Sequence, residues 1–519
     1  MKKLLLASAV TAALFAGHAS AATSVKAVPL NANGSVDFST ATGIYAAGNT
    51  VNEVWISGSS AATPFLDKAV VNDSIGTVYR YVDSTKAAIT YVSESALTPG
   101  TFNVVHKRDK GGSITAIKSA QGTLTGFNDT SSLAAITSTC GAVDASGIAA
   151  CTAGSAITLT NHAANANFAD VDAAQFESTL NGGVAGASAV PSTAIATQTF
   201  GFAVNLKLRN AMQKAMIASG ALPATCTAGD ETEACMPNLT TPQLSSIFGA
   251  NRVTDWNNVR WGGLANQSLF TAQATADRPA NRDIHICSRT AGSGTLATAN
   301  IKFENAPCFS GNEAIQAASA TTVVAESGAS GSMKPYHSLA GSGDVESCLT
   351  GLDSGAAVGN FTPYPGSTAT FRWAIGILGT ERNANNALAY RFIKIDGASP
   401  SAKNVAQGKY KFWGELVTVG TTATDALTTD LIANVKNANQ ISTVNVTNAN
   451  FGVTGYLGVA NNAAFLPTFN TAINGLISAA FDPARPVNPF THEKAAGGFL
   501  NHCRIPTVSG GAKALPALN

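Results

Sequence analysis

Ile284-His285-Ile286-Cys287-Ser288-Arg289-Thr290-Ala291-Gly292-Ser293-Gly294-Thr295-Leu296 is the stretch on which the reading of this chain turns. Ile284 and Ile286 alternate as a strand does, and Leu296 to Phe303 has a helical composition. A strand that stops, a glycine-flanked turn with two hydroxyls and a helix start make a place to hold an oxyanion. The first N–H groups of a helix lack internal partners and sit at the positive end of its dipole. Arg289 adds a fixed cation able to bind two oxygens at once. The same residues also fit an N-cap, a flexible turn and a surface arginine, because short Gly/Ser motifs are common.

The pattern repeats outward. Val54-Trp55-Ile56 reads as a core strand running into Ser57-Gly58-Ser59-Ser60-Ala61-Ala62-Thr63-Pro64-Phe65, a second junction of strand, small hydroxylated turn and helix start. Phe200 to Asn205 reads as a buried strand. Leu208, Ala211, Met212, Ala215 and Met216 then mark one face of a helix that Gly220 ends. Thr241 is expected to cap a further helix with Pro242 in its first position and Gly249 at its end. Short apolar strands alternating with such helices predict α/β lobes with mainly parallel sheets, whose ligands gather beyond the carboxyl ends of the strands.

The first residues point to export. Lys2 and Lys3, the apolar run Leu4 to Ala16 and Ala19-Ser20-Ala21 have the form of a signal peptide over residues 1–21. No later segment is expected to insert in a membrane. Eight cysteines fit an oxidising compartment; Cys140 with Cys151 and Cys226 with Cys235 would close short loops, and the pairing of Cys287, Cys308, Cys348 and Cys503 is open. Metal and cofactor are not expected: no C-x-x-C pair occurs and the seven histidines are scattered. His106, His162, His285, His337 and His492 each read as surface or core residues. With 12% charged residues and a net charge of +1, the basic excess of a nucleic-acid binder is missing. A length of 519 with 45% hydrophobic residues suffices for two or more lobes.

Five landmarks together resemble the phosphate-binding periplasmic proteins, the substrate-binding components of phosphate ABC transporters. Leu239 to Phe248 with Val253-Thr254-Asp255-Trp256-Asn257 is similar to that family's helix and "tDWn" turn. Ser57-Gly58-Ser59-Ser60 looks like its first anion loop, and Arg289 with Gly292-Ser293-Gly294-Thr295 like its R-x-x-G-S-G-T loop. Ala356-Ala357-Val358-Gly359 is similar to a strand end, and Ile395 to Ala402 with Asn404, Gly408 and Tyr410 to a hairpin. They follow the family's order over about Trp55 to Trp413.

The resemblance implies a two-lobe, type II periplasmic-binding-protein-like α/β fold with an interlobe anion cleft. One lobe would take about 50–205 plus 371–519, with an enlarged region at about 96–186, and the other 206–370. Arg289, Ser293, Gly294 and Thr295 would bind phosphate from the second lobe; Ser60, Ala61, Ala62 and Ser113 would do so from the first. Phe168 to Ala173 is similar to a segment that supplies an acidic ligand, which makes Asp172 the candidate and Asp170 its rival. Hydrogen phosphate can donate a proton to such a carboxylate and sulfate cannot, which gives selectivity. Tungstate or molybdate would enter if Asp172 lay outside the cleft.

The chain departs from the family's pattern where Ala62 and Thr63 replace a threonine and an aromatic. It is also long, with the surplus in 96–186 and in the Thr/Asn-rich stretch Val417 to Asn450. The implied activity is non-enzymatic binding by a monomer, in the periplasm of a Gram-negative bacterium or outside the cell, with an inner-membrane ABC permease as partner. The alternatives are a secreted structural or adhesive protein on the same scaffold and, behind it, a phosphatase-like exported protein, for which no metal cluster or Ser/His/Asp arrangement stands out.

Overall fold

The computed structural model describes residues 25–83, 87–135, 139–152, 157–249, 252–261, 268–309, 331–332, 334–363, 370–420, 424–459, 468–470, 472, 475–477, 481–494 and 499–508. The expected signal peptide lies outside the described residues.

In chain order, the elements that build the site are β1 (Val51–Gly58), α1 (Thr63–Asn72), β2 (Ser74–Val82), β3 (Ala88–Ser95), β4 (Phe102–Arg108), α2 (Ile114–Ala120), β5 (Ala166–Ala169), β6 (Ser192–Asn205) and α3 (Leu206–Ala218). After them come α4 (Thr241–Phe248), β7 (His285–Arg289), α5 (Gly294–Ala299), β8 (Tyr336–Leu339), α6 (Ser342–Ser354), β9 (Ala374–Gly379), β10 (Trp413–Val419), α7 (Ala426–Lys436) and α8 (Ala438–Val444).

The fold is α/β with two lobes that share one strand. In the first lobe β1 lies parallel to β4 and β5, and β10 runs antiparallel to β5. In the second, β7 lies parallel to β8 and β9. β6 belongs to both: Ser192–Thr199 pairs with β10, and Phe200–Val204 pairs with β9. Ile195 to Asn205 is buried throughout, as expected for a strand covered on both faces. The chain returns beside it, where Phe200 N–H donates to Phe412 O at 2.9 Å just before β10 begins.

Two expectations change. The sheets are mixed rather than mainly parallel. β2, β3 and β4 form an antiparallel meander joined by short connections, and β6 crosses between lobes against the direction of its neighbours β9 and β10. The pairing also puts β9 and Tyr390–Phe392, expected in the first lobe, on the second-lobe part of β6.

Each lobe has its own apolar core. Phe65, Leu66 and Ile56 pack with Leu427, Leu431 and Val435 of α7 and Ile441 of α8. The Thr/Asn-rich surplus therefore supplies a helical layer over the first sheet. Phe200, Phe202, Leu208, Met212, Leu244, Phe248 and Trp256 form the second core. α4 starts one residue earlier than the sequence suggested: Thr240 is the N-cap and shares a capping box with Gln243, which leaves Thr241 first and Pro242 second. α3 is capped by Asn205 and ends before Gly220, whose φ of 77° suits glycine. A third cluster joins the lobes: Ala297 and Ile301 pack with Ile117, Val171 and Phe176.

The cysteines pair as Cys140–Cys151, Cys226–Cys235, Cys287–Cys348 and Cys308–Cys503. The first two are the short loops read from the sequence, and the third ties β7 to α6.

Candidate functional site

Because β1, β4 and β5 are parallel, their carboxyl ends reach one edge of the first sheet and deliver Ser59 and Ser60, Ser113, and Asp170 there. Because β7 and β8 are parallel, the second sheet brings Arg289 and the Leu339–Ser342 turn to its own edge. The two edges face each other.

Arg289 is 2% exposed and its guanidinium is held from both sides. Nε donates to Leu339 O at 3.3 Å, Nη2 to Ala340 O at 3.1 Å and Nη1 to Ser342 Oγ at 3.4 Å, all in its own lobe. Across the cleft Nη2 donates to Ser60 Oγ at 3.4 Å. Burial lowers the pKa of Arg289, and the carboxylates of Asp170 and Asp344 work against that.

Asp170 is the acidic group of this edge, 3% exposed and directly after β5. Its Oδ1 accepts from Ser59 Oγ in a short hydrogen bond, its Oδ2 accepts from Thr295 Oγ1 at 3.5 Å, and its N–H donates to Ser113 Oγ at 3.1 Å. Burial raises its pKa, opposed by the Ser59 hydrogen bond and the Arg289 charge. Gly294 lies so close that a Cβ there would stand 2.7 Å from Asp170 Cβ. Gly292, with φ of 95°, turns the loop so that its carbonyl accepts from Ile114 N–H at 2.9 Å, across the lobes. Ser293 caps α5 by accepting from Leu296 N–H at 3.4 Å.

Arg289, Ser60, Ser113, Ser293, Gly294 and Thr295 thus come together. Ala61 and Ala62 stand beside them: Ala61 N–H donates to Ser59 Oγ at 3.0 Å, and Ala62, the N-cap of α1, accepts from Leu66 N–H at 3.0 Å. Ser59 and Asp170 are the site residues that the sequence reading under-weighted. Their signal is position, since each is the first residue after a strand end. Asp172, the favoured acidic candidate, is equally buried, but its Oδ1 lies 2.8 Å from His502 Nδ1. Val358-Gly359 is not a strand end; Val358 bridges only to Phe361.

The cleft continues from Ser60 and Ser342 into a cavity of about 460 Å³. Asp109, Asp344 and Glu346 line it together with Lys110 and Arg382. Lys110 and Asp344 approach to 3.9 Å across the lobes.

A second buried charged cluster lies behind Asp172. His502 Nδ1 meets Asp172, and its Nε2 lies 3.0 Å from Glu415 Oε2 on β10. His492 Nδ1 is 2.6 Å from the same oxygen, and Lys302 Nζ is 2.7 Å from His492 Nε2. Burial would lower His502, but the Glu415 charge and the Asp172 hydrogen bond outweigh it and raise the pKa to about 9. Burial would raise Glu415, but the two imidazoles hold it well below the carboxylate range. Burial lowers His492 to about 4 and Lys302 to about 8. Among the described residues, Glu415, His492 and His502 are the group spaced to hold a metal ion. Their polar atoms are already matched to one another: His502 Nδ1 lies against the Asp172 carboxylate and Nε2 against that of Glu415, and the backbone N–H groups of Asp172 and Glu415 reach the same two nitrogens at 3.1 and 3.2 Å.

No protein-family model matches the chain, and no curated protein matches it. Among solved structures it is similar to a protein from Clostridium perfringens assigned as a phosphate ABC transporter substrate-binding protein with bound phosphate (14% identity, 78% of this chain and 99% of that one, TM-score 0.38). An ABC-type phosphate transport receptor from Vibrio cholerae is similar at 13% identity over 75% and 96% of the chains, with a TM-score of 0.34. PstS from Borrelia burgdorferi is similar at 12% identity over 76% and 95%, with a TM-score of 0.32.

Proposed function

We propose that this chain is an exported phosphate-binding protein, the substrate-binding component of a phosphate ABC transporter, which holds hydrogen phosphate between its lobes. The observation that carries the reading is the convergence of buried Arg289 and buried Asp170 with the hydroxyls of Ser59, Ser60, Ser113 and Thr295, contributed by both lobes. A guanidinium and hydroxyl donors satisfy phosphate oxygens, and Asp170 accepts the proton that phosphate keeps near neutral pH. Sulfate has no such proton and would leave the carboxylate desolvated and unpaired. The discriminating role read for Asp172 belongs in this proposal to Asp170.

Binding would be closure of the lobes about the crossover strands, with the lobes divided at Thr199/Phe200 and Phe412/Trp413. No bond is made or broken, so the reading is non-enzymatic. Four disulfides fit a periplasmic or extracellular location, and no helix among the described residues is long and apolar enough to cross a membrane.

The test is calorimetry on protein that has been unfolded to strip carried-over ligand and refolded with its disulfides intact. Phosphate is titrated first, then sulfate. Tight binding selective for phosphate and lost in Arg289→Ala is the expected result; no heat from either anion in folded protein refutes it. A second reading, a secreted structural or adhesive scaffold, draws on one observation: the cleft loops already bond directly to each other, Ile114 N–H to Gly292 O and Thr295 Oγ1 to Asp170. The absence of heat would favour it.

A further inference from the structure

The cluster around His502 has no part in holding an anion, yet it lies where both lobes meet the late stretches 487–494 and 499–508. Lys302 and Cys308 belong to second-lobe chain that follows the anion loop and α5. Glu415 on β10 and Asp172 after β5 belong to the first lobe. His492, His502 and Cys503 belong to the late stretches. Cys503 is bonded to Cys308, and His502, the preceding residue, is wedged between Asp172 and Glu415.

We propose that residues 499–508 form an interlobe latch: the Cys308–Cys503 disulfide fixes them to the second lobe, and His502 clasps the first through Asp172 and Glu415. His502 is thereby a positioning residue for Asp170.

Each end of the latch is supported separately. On the first-lobe side, the ring of His502 binds one carboxylate with each nitrogen, and its own N–H donates to Asp172 Oδ1 at 3.3 Å. Asp172 is two residues from Asp170, so the clasp fixes the backbone that presents Asp170 to the anion loop. Glu415 is further anchored by His492 N–H at 2.7 Å and by Thr491 Oγ1 at 3.1 Å. On the second-lobe side a non-covalent tie doubles the disulfide: Lys302 donates to His492 and sits over the Trp413 ring at 5.0 Å. Opening the cleft would separate Lys302 and Cys308 from Asp172 and Glu415. The disulfide cannot yield, which leaves the His502 contacts as the releasable joint.

The joint is protonic. His502 faces Asp172, Glu415 and the stacked ring of His492 at 5.0 Å; Lys302 lies beyond His492, and half-buried Glu493 is close enough to Glu415 for their charges to repel. With His502 charged, its imidazolium stands between the carboxylates of Asp172 and Glu415. Loss of its proton leaves the carboxylates in excess and opens the clasp as pH rises through about 9.

Small-angle scattering of the full chain stripped of anion tests the latch itself. At pH 7 anion-free wild type is expected to be more compact than either latch variant, and to expand near pH 10. His502→Gln and, independently, Cys503→Ser are expected to be expanded already at pH 7, and His502→Gln to lose the pH response. A kinetic arm rests on the phosphate reading: phosphate dissociation from His502→Gln should be at least about fivefold faster, the low end of ordinary coupling between sites. If phosphate binds neither protein, that reading fails while the scattering still decides the latch. Identical radii in wild type, His502→Gln and Cys503→Ser, each folded by circular dichroism, would overturn it. So would uptake of one equivalent of zinc by chelator-treated protein that depends on His502, since the clasp would then be held by a metal and not by a proton.

Discussion

Asp170 and Asp172 are two residues apart and equally buried, yet their surroundings differ. Asp170 is surrounded by hydroxyls, a backbone contact and an arginine held in the opposite lobe. Asp172 meets an imidazole that is shared with a second carboxylate. A carboxylate bonded to hydroxyls has partners that can rotate toward a ligand, so it remains open to exchange. A carboxylate closed against an imidazolium is already neutralised and gains nothing from an anion or its proton. Burial of charge alone therefore does not mark a ligand site; the mobility of the partners separates the binding group from the structural one.

The largest effect that would break this comparison is at Arg289. Removing one member of a buried, hydrogen-bonded charge set costs about 3–5 kcal/mol, so Arg289→Ala should weaken phosphate at least ~100-fold in calorimetry. A smaller loss in folded protein would mean that the cation does not face the ligand and that the Asp170 side of the contrast is only structural.

Next in size is the pH dependence of the other cluster. A pKa of about 9 for His502 against 6.5 unfolded corresponds to about 3 kcal/mol of stability, fully present below pH 6.5 and lost as pH rises through 9. Lys302, lowered to about 8, acts in the opposite sense, with stability gained between about pH 8 and 10.5. His492, lowered to about 4, adds a loss as pH falls from 6.5. Urea unfolding of wild type should therefore show stability falling from pH 6.5 to about 8 and levelling off between 8 and 9, where Lys302 offsets His502, and His502→Gln should flatten the falling limb. Equal slopes would place the charge of the Asp172 cluster elsewhere.

How much of this was legible in the sequence follows the same divide. The Arg289–Thr295 loop could be read because strand, turn and helix start are neighbours in the chain, and the structure has them at β7 and α5. α3, with its apolar face and terminal glycine, was local for the same reason. The choice between Asp170 and Asp172 was not legible, because it is made by His502, 330 residues away. Spacing within a loop cannot report a partner that far off. The double membership of β6 escaped for a similar reason: a strand can be seen in Phe200 to Asn205, but which half pairs with which lobe depends on β9 and β10, encoded much later. The histidines looked scattered because only the fold brings His492 and His502 to Glu415.

A third effect sharpens the comparison at its centre. Asp170→Asn keeps the shape of the group but puts an amide donor where a proton acceptor stood. Phosphate should weaken and sulfate should gain, since the unpaired carboxylate that penalises sulfate is gone. Burying an unsatisfied polar group costs about 1–3 kcal/mol, so the phosphate-to-sulfate ratio should fall roughly 10- to 100-fold. An unchanged ratio, measured by paired titrations, would take the discriminating role from Asp170.

The smallest expected effect is the most telling control. Asp172→Asn changes the same atoms two residues on, in the residue that the family-like spacing favoured. If its carboxylate serves only His502, the phosphate-to-sulfate ratio should move less than about twofold, far below the 1.4 kcal/mol that would make tenfold. The cost should appear as lower stability near neutral pH, where His502 loses one of its two carboxylate partners, with a shallower fall between pH 6.5 and about 8. Weaker binding of both anions by an equal factor would still fit, because a loosened clasp acts on closure and closure does not distinguish phosphate from sulfate. A collapse of the ratio with stability unchanged would reverse the two roles and make Asp172 the residue that reads the phosphate proton.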